Sequence, residues 1–250
     1  FPSRPMDQGF DESLMHLSGG VGQVGDVTTY FQKDSSYFNP VLWKNGQKES
    51  FKGYSSDIFA ANAIQFIEKN KSNPFFCYLS FNAPHTPLQV PEYYDQMYKN
   101  VDPSIEFERK NPMHLKMTEK DKEDARKVYG MVSNIDDNIG KLLQKIADLG
   151  IEENTIIIFM TDNGPQQLRY TAVYHGGTRV PFFLKYPALS KESKVIETMS
   201  AHFDVLPTLS ELCHVDLPKD RKIDGKSLVP LIKGKKVDWS DRAMFSYWTR

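Results

Sequence analysis

The chain has 250 residues, a formal net charge of −1 and 40% hydrophobic residues. This composition supports a sizeable folded core and excludes a disordered chain. The near-neutral charge argues against nucleic acid or an anionic membrane as a partner, and no run approaches the roughly 18 apolar residues of a membrane-spanning helix.

The first half of the chain predicts a helix, a buried strand and a rigid loop. Residues 55–70 begin with two serines and an aspartate, which cap helices, and continue with apolar residues at helical spacing. Residues 75–81 are nearly all apolar or aromatic, which is typical of a strand buried on both faces. The loop 82–87 contains two prolines around His85, and these stiffen the backbone that carries the imidazole. His85 is therefore a candidate catalytic residue.

The middle of the chain predicts a short helix near 91–99 and a long helix over 118–149, whose apolar residues form one face. Thr118 is the predicted cap of the long helix, and acidic residues follow in its first turns. Asp136 and Asp137 lie inside this helix. We expect these two aspartates to point away from the core or to fix the helix against a loop, and we do not include them in the site.

A second buried strand over 155–160 leads directly to Asp162 and Asn163. Open α/β sheets place their functional sites at the carboxyl ends of their strands. A carboxylate next to an amide oxygen suits a hard cation such as calcium. Because Asp-Asn-Gly is also a common tight turn, these residues alone leave both a metal site and a simple turn open.

The remainder of the chain predicts a polar loop over 165–173, a buried strand over 182–186 and a helix with Asp204 as its cap. The alternation of helices and strands predicts an α/β fold in which helices sandwich a mostly parallel sheet. Cys77 and Cys213 are expected to be buried thiols, not a disulfide.

Several short motifs follow one another in the order typical of one enzyme family. They are residues 9–12, 53–54, 82–87, 135–140, 161–165, 176–181, 204–209 and 224–231. Together they make the chain resemble the sulfatase family, within the alkaline-phosphatase-like superfamily. The resemblance implies an alkaline-phosphatase-like core, incomplete at both ends, that forms one partial sulfatase catalytic domain over residues 1–250.

The resemblance also implies roles for three residues. Asp162 and Asn163 match two of the family's calcium ligands, and two further aspartates would precede Phe1. His85 matches the family histidine that donates a hydrogen bond to a sulfate oxygen or a proton to the departing alkoxide. Relatives that hydrolyse phosphate esters commonly have histidine at the position of Asn163. Because imidazole suits zinc and an amide oxygen suits calcium, Asn163 favours sulfate esters.

Three features of the family are missing from this sequence: the nucleophile, the sulfate-binding lysine and most of the C-terminal subdomain. The family nucleophile is a formylglycine made from cysteine, or sometimes serine, in a Cys-x-Pro-Ser-Arg motif, and neither cysteine lies in such a motif. We expect the nucleophile to lie before Phe1, and we expect the isolated 250 residues to hydrolyse no sulfate ester. The family's sulfate-binding lysine is missing. Either Arg169, the only cation between Asn163 and His175, takes its role, or a loop segment is absent from this chain. His175 stands where the family commonly has glutamate.

The expected function is that of a sulfuric ester hydrolase that uses calcium and formylglycine, with a sulfated small molecule or carbohydrate as its substrate. Two alternatives remain open: a phosphoester or phosphonate hydrolase of the same superfamily, and a non-catalytic relative that acts as a binding module. By family habit, the protein is expected in the periplasm, in the lysosome or outside the cell.

Overall fold

The computed structural model describes residues 4–16, 37–105, 116–164, 175–189, 192–239 and 242–245. The chain divides into two compact units, Phe1–Gly150 and Ile151–Arg250. Among the described residues, no helix combines the length and the apolar character that crossing a membrane requires. Short 3-10 turns occur at Pro5–Gln8, Glu152–Asn154 and His202–Asp204.

The first unit contains a small antiparallel sheet. Its strands are β1 (Leu14–Met15), β2 (Val41–Lys44) and β3 (Gln47–Ser50), paired in that order. Asn45 and Gly46 connect β2 to β3, and both have positive φ, at 49° and 83°. Asparagine followed by glycine is the preferred sequence for such a two-residue turn, because its twist matches that of the flanking strands.

The described part of the first unit also contains the helices α1 (Ser55–Asn70), α2 (Glu92–Tyr98) and α3 (Glu119–Asp148). All three were predicted from the sequence, α1 and α3 by the spacing of their apolar residues. The Thr118 hydroxyl accepts a hydrogen bond from the backbone N–H of Asp121 at 3.1 Å, which confirms Thr118 as the cap of α3.

The start of α1 differs from the prediction. Its cap position is Tyr54, while Ser55 and Ser56 lie buried in the first turn and make no cap hydrogen bond. Because the helix begins at Ser55, both serines lie inside its first turn, and the cap position is the residue before them.

The core of the first unit lies beneath the loop that carries His85. Its buried cluster consists of Tyr37, Tyr54, Ala83 and Met131. Partly buried apolar side chains pack against this cluster: Phe38, Leu88, Val90 and Ile135. The core therefore connects the segment before β2, the start of α1, the loop and α3.

Residues 75–81 differ from the prediction of a buried strand. The structure assigns them no strand pairing within the described part of the chain. Their exposure nevertheless alternates, with Phe76 and Tyr78 61% and 73% exposed and Cys77 half-buried. Only one face is covered, and a strand also needs a backbone partner along an edge.

Burial raises the pKa of the Cys77 thiol.

The second unit contains the strands β4 (Ile157–Met160) and β5 (Phe182–Lys185). Both runs form strands, as predicted, but neither strand is fully buried, since Phe159 is 37% and Phe183 65% exposed. They also pair antiparallel, with Ile157 opposite Lys185, and not parallel as predicted. A run of apolar residues favours burial but does not fix the direction of the neighbouring strand. Within the described residues of this unit, the helices are α4 (His175–Thr178), α5 (Val205–Cys213) and α6 (Val229–Ile232).

The Asp204 side chain does not cap α5, contrary to the prediction. It is buried in the second unit, where it forms several hydrogen bonds. Its fully buried carboxylate accepts hydrogen bonds from the backbone N–H groups of Ala201 and Lys226, at 2.8 and 2.9 Å. It also accepts one from the Arg242 guanidinium at 2.6 Å. These three donors bring separate segments together, and they satisfy a charge that burial would otherwise penalise.

Cys213 is exposed, contrary to the prediction of a buried thiol. It is the last residue of α5, whose buried residues are Pro207 and Thr208. At 3.6 residues per turn, a side chain five positions after Thr208 points away from the buried face. The backbone then leaves the helix through His214, which has a positive φ of 55°.

Candidate active-site elements

His85 occupies an exposed turn whose backbone is fixed from two sides. Its N–H donates to the Asn82 carbonyl at 2.9 Å, and its carbonyl accepts a hydrogen bond from the Tyr37 hydroxyl at 2.8 Å. The Asn82 side chain in turn lies 2.7 Å from Nε2 of His16. The loop therefore holds the imidazole at the surface of the first unit, while the catalytic role of His85 stays a prediction.

The ring of His85 is oriented by its own loop. Its Nδ1 lies 2.8 Å from the Thr86 carbonyl oxygen and 3.3 Å from the Thr86 hydroxyl. Since a carbonyl oxygen only accepts, this contact assigns a proton to Nδ1. Neutral His85 then accepts at Nε2, and only the imidazolium form donates from that nitrogen.

Two buried tyrosines support the loop from below. The rings of Tyr37 and Tyr54 are stacked with their centroids 5.7 Å apart. The Tyr54 hydroxyl donates to the Gln89 carbonyl at 2.9 Å, and the Gln89 side-chain oxygen accepts from the Tyr37 backbone N–H at 3.0 Å. Burial raises the pKa of both phenols well above the ordinary value, so both remain donors.

Sequence reasoning missed Tyr37 and His16 as neighbours of the His85 loop. They lie 48 and 66 residues from their contacts in the loop, His85 and Asn82. Neither residue falls in a helical or strand periodicity that would assign it to this surface. Only the three-dimensional contact identifies them.

Asp162 and Asn163 lie side by side at the carboxyl end of β4, and both are exposed. The Asn163 amide nitrogen donates to one Asp162 carboxylate oxygen at 2.7 Å. This hydrogen bond turns the nitrogen of the Asn163 amide toward the carboxylate. The pair thus supplies carboxylate and amide oxygens, which are the ligands that calcium prefers.

The turn that carries this pair is fixed to two other segments of the second unit. The Gly164 N–H donates to the Gly177 carbonyl in α4 at 3.0 Å. Nε2 of His202 lies 2.7 Å from the Thr161 carbonyl oxygen. The backbone therefore bends at Asp162 and Asn163, as the composition of Asp-Asn-Gly indicates, and the two polar side chains lie next to each other.

The pair forms only part of a ligand set. Calcium takes roughly six to eight oxygen ligands, and the described ranges contain no group of three or more His, Cys, Asp or Glu side chains arranged for a metal ion. The chemistry of the two donors fits calcium, but two donors are fewer than calcium takes, and the role of Asp162 and Asn163 as metal ligands stays a prediction. The predicted anion-binding residue Arg169 lies outside the described residues.

Asp136 and Asp137 are exposed on α3, as predicted. Asp137 accepts a hydrogen bond from the Tyr94 hydroxyl at 2.7 Å, which fixes α3 to α2. Burial, assisted by this hydrogen bond, raises the pKa of Tyr94 to about 12. The contact gives Asp137 a structural role.

Comparison with known proteins identifies the family. Residues 7–215 match the family model described as Sulfatase. The chain is 29% identical to an arylsulfatase of Clostridium perfringens, with 76% of this chain and 45% of that protein covered. It is 25% identical to an N-acetylglucosamine-6-sulfatase of Bos taurus, with 92% and 46% covered.

A solved structure has the same fold. The crystal structure of Ps i-CgsB in complex with k-i-k-neocarrahexaose superposes with a TM-score of 0.74 at 27% identity, over 94% of this chain and 52% of that one. The chain spans about half the length of these relatives. The fold class is the alkaline-phosphatase-like α/β core of the sulfatases, and the chain belongs to the sulfatase family.

Proposed function

We propose that the complete natural protein is a sulfuric ester hydrolase. The observation that carries this proposal is the Asp162–Asn163 pair, joined by a 2.7 Å hydrogen bond at the end of β4 in a member of the sulfatase family. Its oxygen donors suit calcium, and calcium suits sulfate ester chemistry in this family. A histidine at position 163 would instead suit zinc.

Asp162 and Asn163 are the residues of this chain that would hold calcium. When bound, calcium supplies positive charge that offsets the negative charge developing on the sulfate oxygens. The protein's contribution is to keep both oxygen donors adjacent before the substrate arrives. The hydrogen bonds from Gly164 and to Thr161 support that function, because they hold the turn between the two segments.

His85 is the proposed proton donor. With Nδ1 hydrogen-bonded to the Thr86 carbonyl, the imidazolium donates from Nε2 to a sulfate oxygen or to the departing alkoxide oxygen. Arg169 is the proposed cation for the sulfate group, because its planar guanidinium donates two parallel hydrogen bonds to an oxyanion. The formylglycine of the family is the proposed nucleophile, and residues 1–250 contain no Cys-x-Pro-Ser-Arg motif from which it is made.

The proposed substrate is a sulfated carbohydrate or an aryl sulfate. The names of the relatives support this class: one is an arylsulfatase, one acts on N-acetylglucosamine 6-sulfate by name, and one was crystallised with a neocarrahexaose. The choice between sugars and aryl groups depends on side chains that contact the alcohol part of the ester.

The test is hydrolysis of 4-nitrophenyl sulfate by the complete natural protein and by its Asp162→Asn variant. We expect the variant to lose kcat on the order of 100-fold, because the charge that balances calcium is removed. Asp136→Asn is the matched control, since Asp136 is an exposed aspartate on α3, and it should keep full activity. Equal activity of the Asp162→Asn variant and the wild type would contradict the proposed role of the pair.

A further inference from the structure

A set of hydrogen bonds holds the backbone that follows His85 onto the core of the first unit. The hydroxyls of two buried tyrosines donate to main-chain carbonyls: Tyr37 to His85 at 2.8 Å and Tyr54 to Gln89 at 2.9 Å. Tyr37 is 0% exposed and Tyr54 is 3% exposed. Two tyrosine hydroxyls therefore hold the same stretch of backbone, residues 85–89, at two points that are four residues apart.

The Tyr37 contact differs from the Tyr54 contact in what it controls. It holds the carbonyl of His85 itself, and so fixes the plane of the peptide between His85 and Thr86. The Thr86 carbonyl in turn accepts the hydrogen bond of the His85 Nδ1 at 2.8 Å. The Tyr37 hydroxyl thus holds the backbone of the residue that carries the imidazole, and the next carbonyl along the chain orients the ring. Tyr54 holds Gln89, beyond Pro87, and does not touch this peptide.

The position of Tyr37 is itself well determined. Its backbone N–H donates to the Gln89 side chain at 3.0 Å, and the Ser55 N–H donates to its carbonyl at 2.7 Å. Its ring stacks on that of Tyr54. A side chain held by its ring, its backbone and its hydroxyl has little freedom to move, which is what support for a functional group requires.

We propose that Tyr37 is a positioning residue for His85: its hydroxyl holds the His85 carbonyl and thereby orients the imidazole for proton donation. The inference rests on the proposed function of His85. Tyr37 does not touch the substrate in this account, and it acts only through the loop.

The experiment compares Tyr37→Phe with Tyr54→Phe in the complete natural protein. Each substitution deletes one buried hydroxyl that donates to a carbonyl of the same loop and leaves the ring in place. We expect Tyr37→Phe to lower kcat for 4-nitrophenyl sulfate about 10-fold with KM unchanged, because misplacement of a catalytic group costs rate. Tyr54→Phe should keep kcat within about 2-fold, although both variants lose thermal stability.

A double-mutant cycle separates positioning from general destabilisation. In a His85→Ala background, Tyr37→Phe should have no further effect on kcat, since the group that it orients is gone. An equal loss of kcat in Tyr37→Phe and Tyr54→Phe would overturn the inference, as would the same fold-loss from Tyr37→Phe with and without His85. If His85→Ala itself keeps wild-type kcat, the proposed function of His85 fails and the inference fails with it. If His85→Ala is impaired while Tyr37→Phe is not, the inference alone fails.

A second measurement covers the case in which Tyr37→Phe does not fold. Incorporation of 3-fluorotyrosine keeps the ring and the hydroxyl and changes the donor strength. We expect the NMR signals of the His85 ring and kcat to shift with the substitution at position 37 and not at position 54. Unchanged ring signals and unchanged kcat at position 37 would overturn the inference.

Discussion

The Asn163 amide nitrogen donates a hydrogen bond to the Asp162 carboxylate across 2.7 Å, so that two neighbouring side chains are oriented by each other. The nitrogen of the Asn163 amide faces the carboxylate, so the amide oxygen of Asn163 is the atom that can serve as a candidate ligand. An imidazole at position 163 would replace this oxygen with a nitrogen donor. The metal preference of the proposed site therefore depends on residue 163.

We predict that Asn163→His lowers activity on 4-nitrophenyl sulfate with calcium on the order of 100-fold and makes the protein respond to zinc. The measurement is kcat with each metal in turn after chelation. Asn154→His, at an exposed asparagine of the second unit, is the control and should behave as wild type. A variant with unchanged activity in calcium would show that Asn163 is not a ligand.

His85 predicts a loss of activity on substitution. Its ring is oriented by the contact between Nδ1 and the Thr86 carbonyl, and it is the proposed proton donor. His85→Asn should therefore lose most of the rate, and kcat for 4-nitrophenyl sulfate measures this. A His85→Asn variant with the rate of the wild type would contradict the proposed role.

The polar contact between α1 and α3 predicts a stability effect. Asp57 accepts hydrogen bonds from the Asn134 and Asn138 amides at 2.8 and 2.7 Å, and both asparagines are buried. Asp57→Ala removes the acceptor that the two buried amides share, although Asn138 keeps its 2.9 Å hydrogen bond to the Asn134 carbonyl. We expect the substitution to lower the free energy of unfolding by about 2–3 kcal/mol. Urea unfolding measures this.

The control for Asp57→Ala is Glu119→Ala, because Glu119 is an exposed acidic residue in the first turn of α3. Its free energy of unfolding should stay within about 0.5–1 kcal/mol of the wild type. A cost for Asp57→Ala no larger than that of the control would mean that the two amides find other partners.

A larger residue at position 225 should clash with the backbone of the second unit. A Cβ atom there would lie 2.0 Å from the Phe203 carbonyl oxygen, which is too close, so the backbone would have to move. Gly225→Ala should therefore destabilise the protein by about 2–4 kcal/mol. Gly140→Ala on α3 is the matched control, since its Cβ would meet nothing within 4 Å, and alanine favours a helix by about 1 kcal/mol. Equal melting temperatures for the two variants would contradict the close approach at Gly225.

The features that could be predicted from the sequence are those that depend on neighbouring residues. The span of α3 and its Thr118 cap follow from apolar spacing and from one hydroxyl, and both are confirmed. The adjacency of Asp162 and Asn163 needs no tertiary information. The family resemblance, which rests on short motifs, is confirmed over residues 7–215.

The features that could not be predicted depend on contacts between distant segments. Tyr37 reaches His85 across 48 residues, and the antiparallel pairing of β4 with β5 is invisible in the composition of either strand. Asp204 has the residue type of a helix cap, yet its carboxylate bonds Arg242, 38 residues away. In each case a contact between distant segments determines the role of the residue, and the local sequence does not show that contact.

The most direct test of the central claim is the ratio of kcat/KM for 4-nitrophenyl sulfate to that for 4-nitrophenyl phosphate in the complete natural protein with calcium. The leaving group is the same in both esters, so the ratio reports the group that the site is built to transfer. We predict a ratio well above 1, lost together with sulfate activity on removal of calcium. A ratio below 1, or sulfate hydrolysis that is indifferent to calcium, would contradict the account.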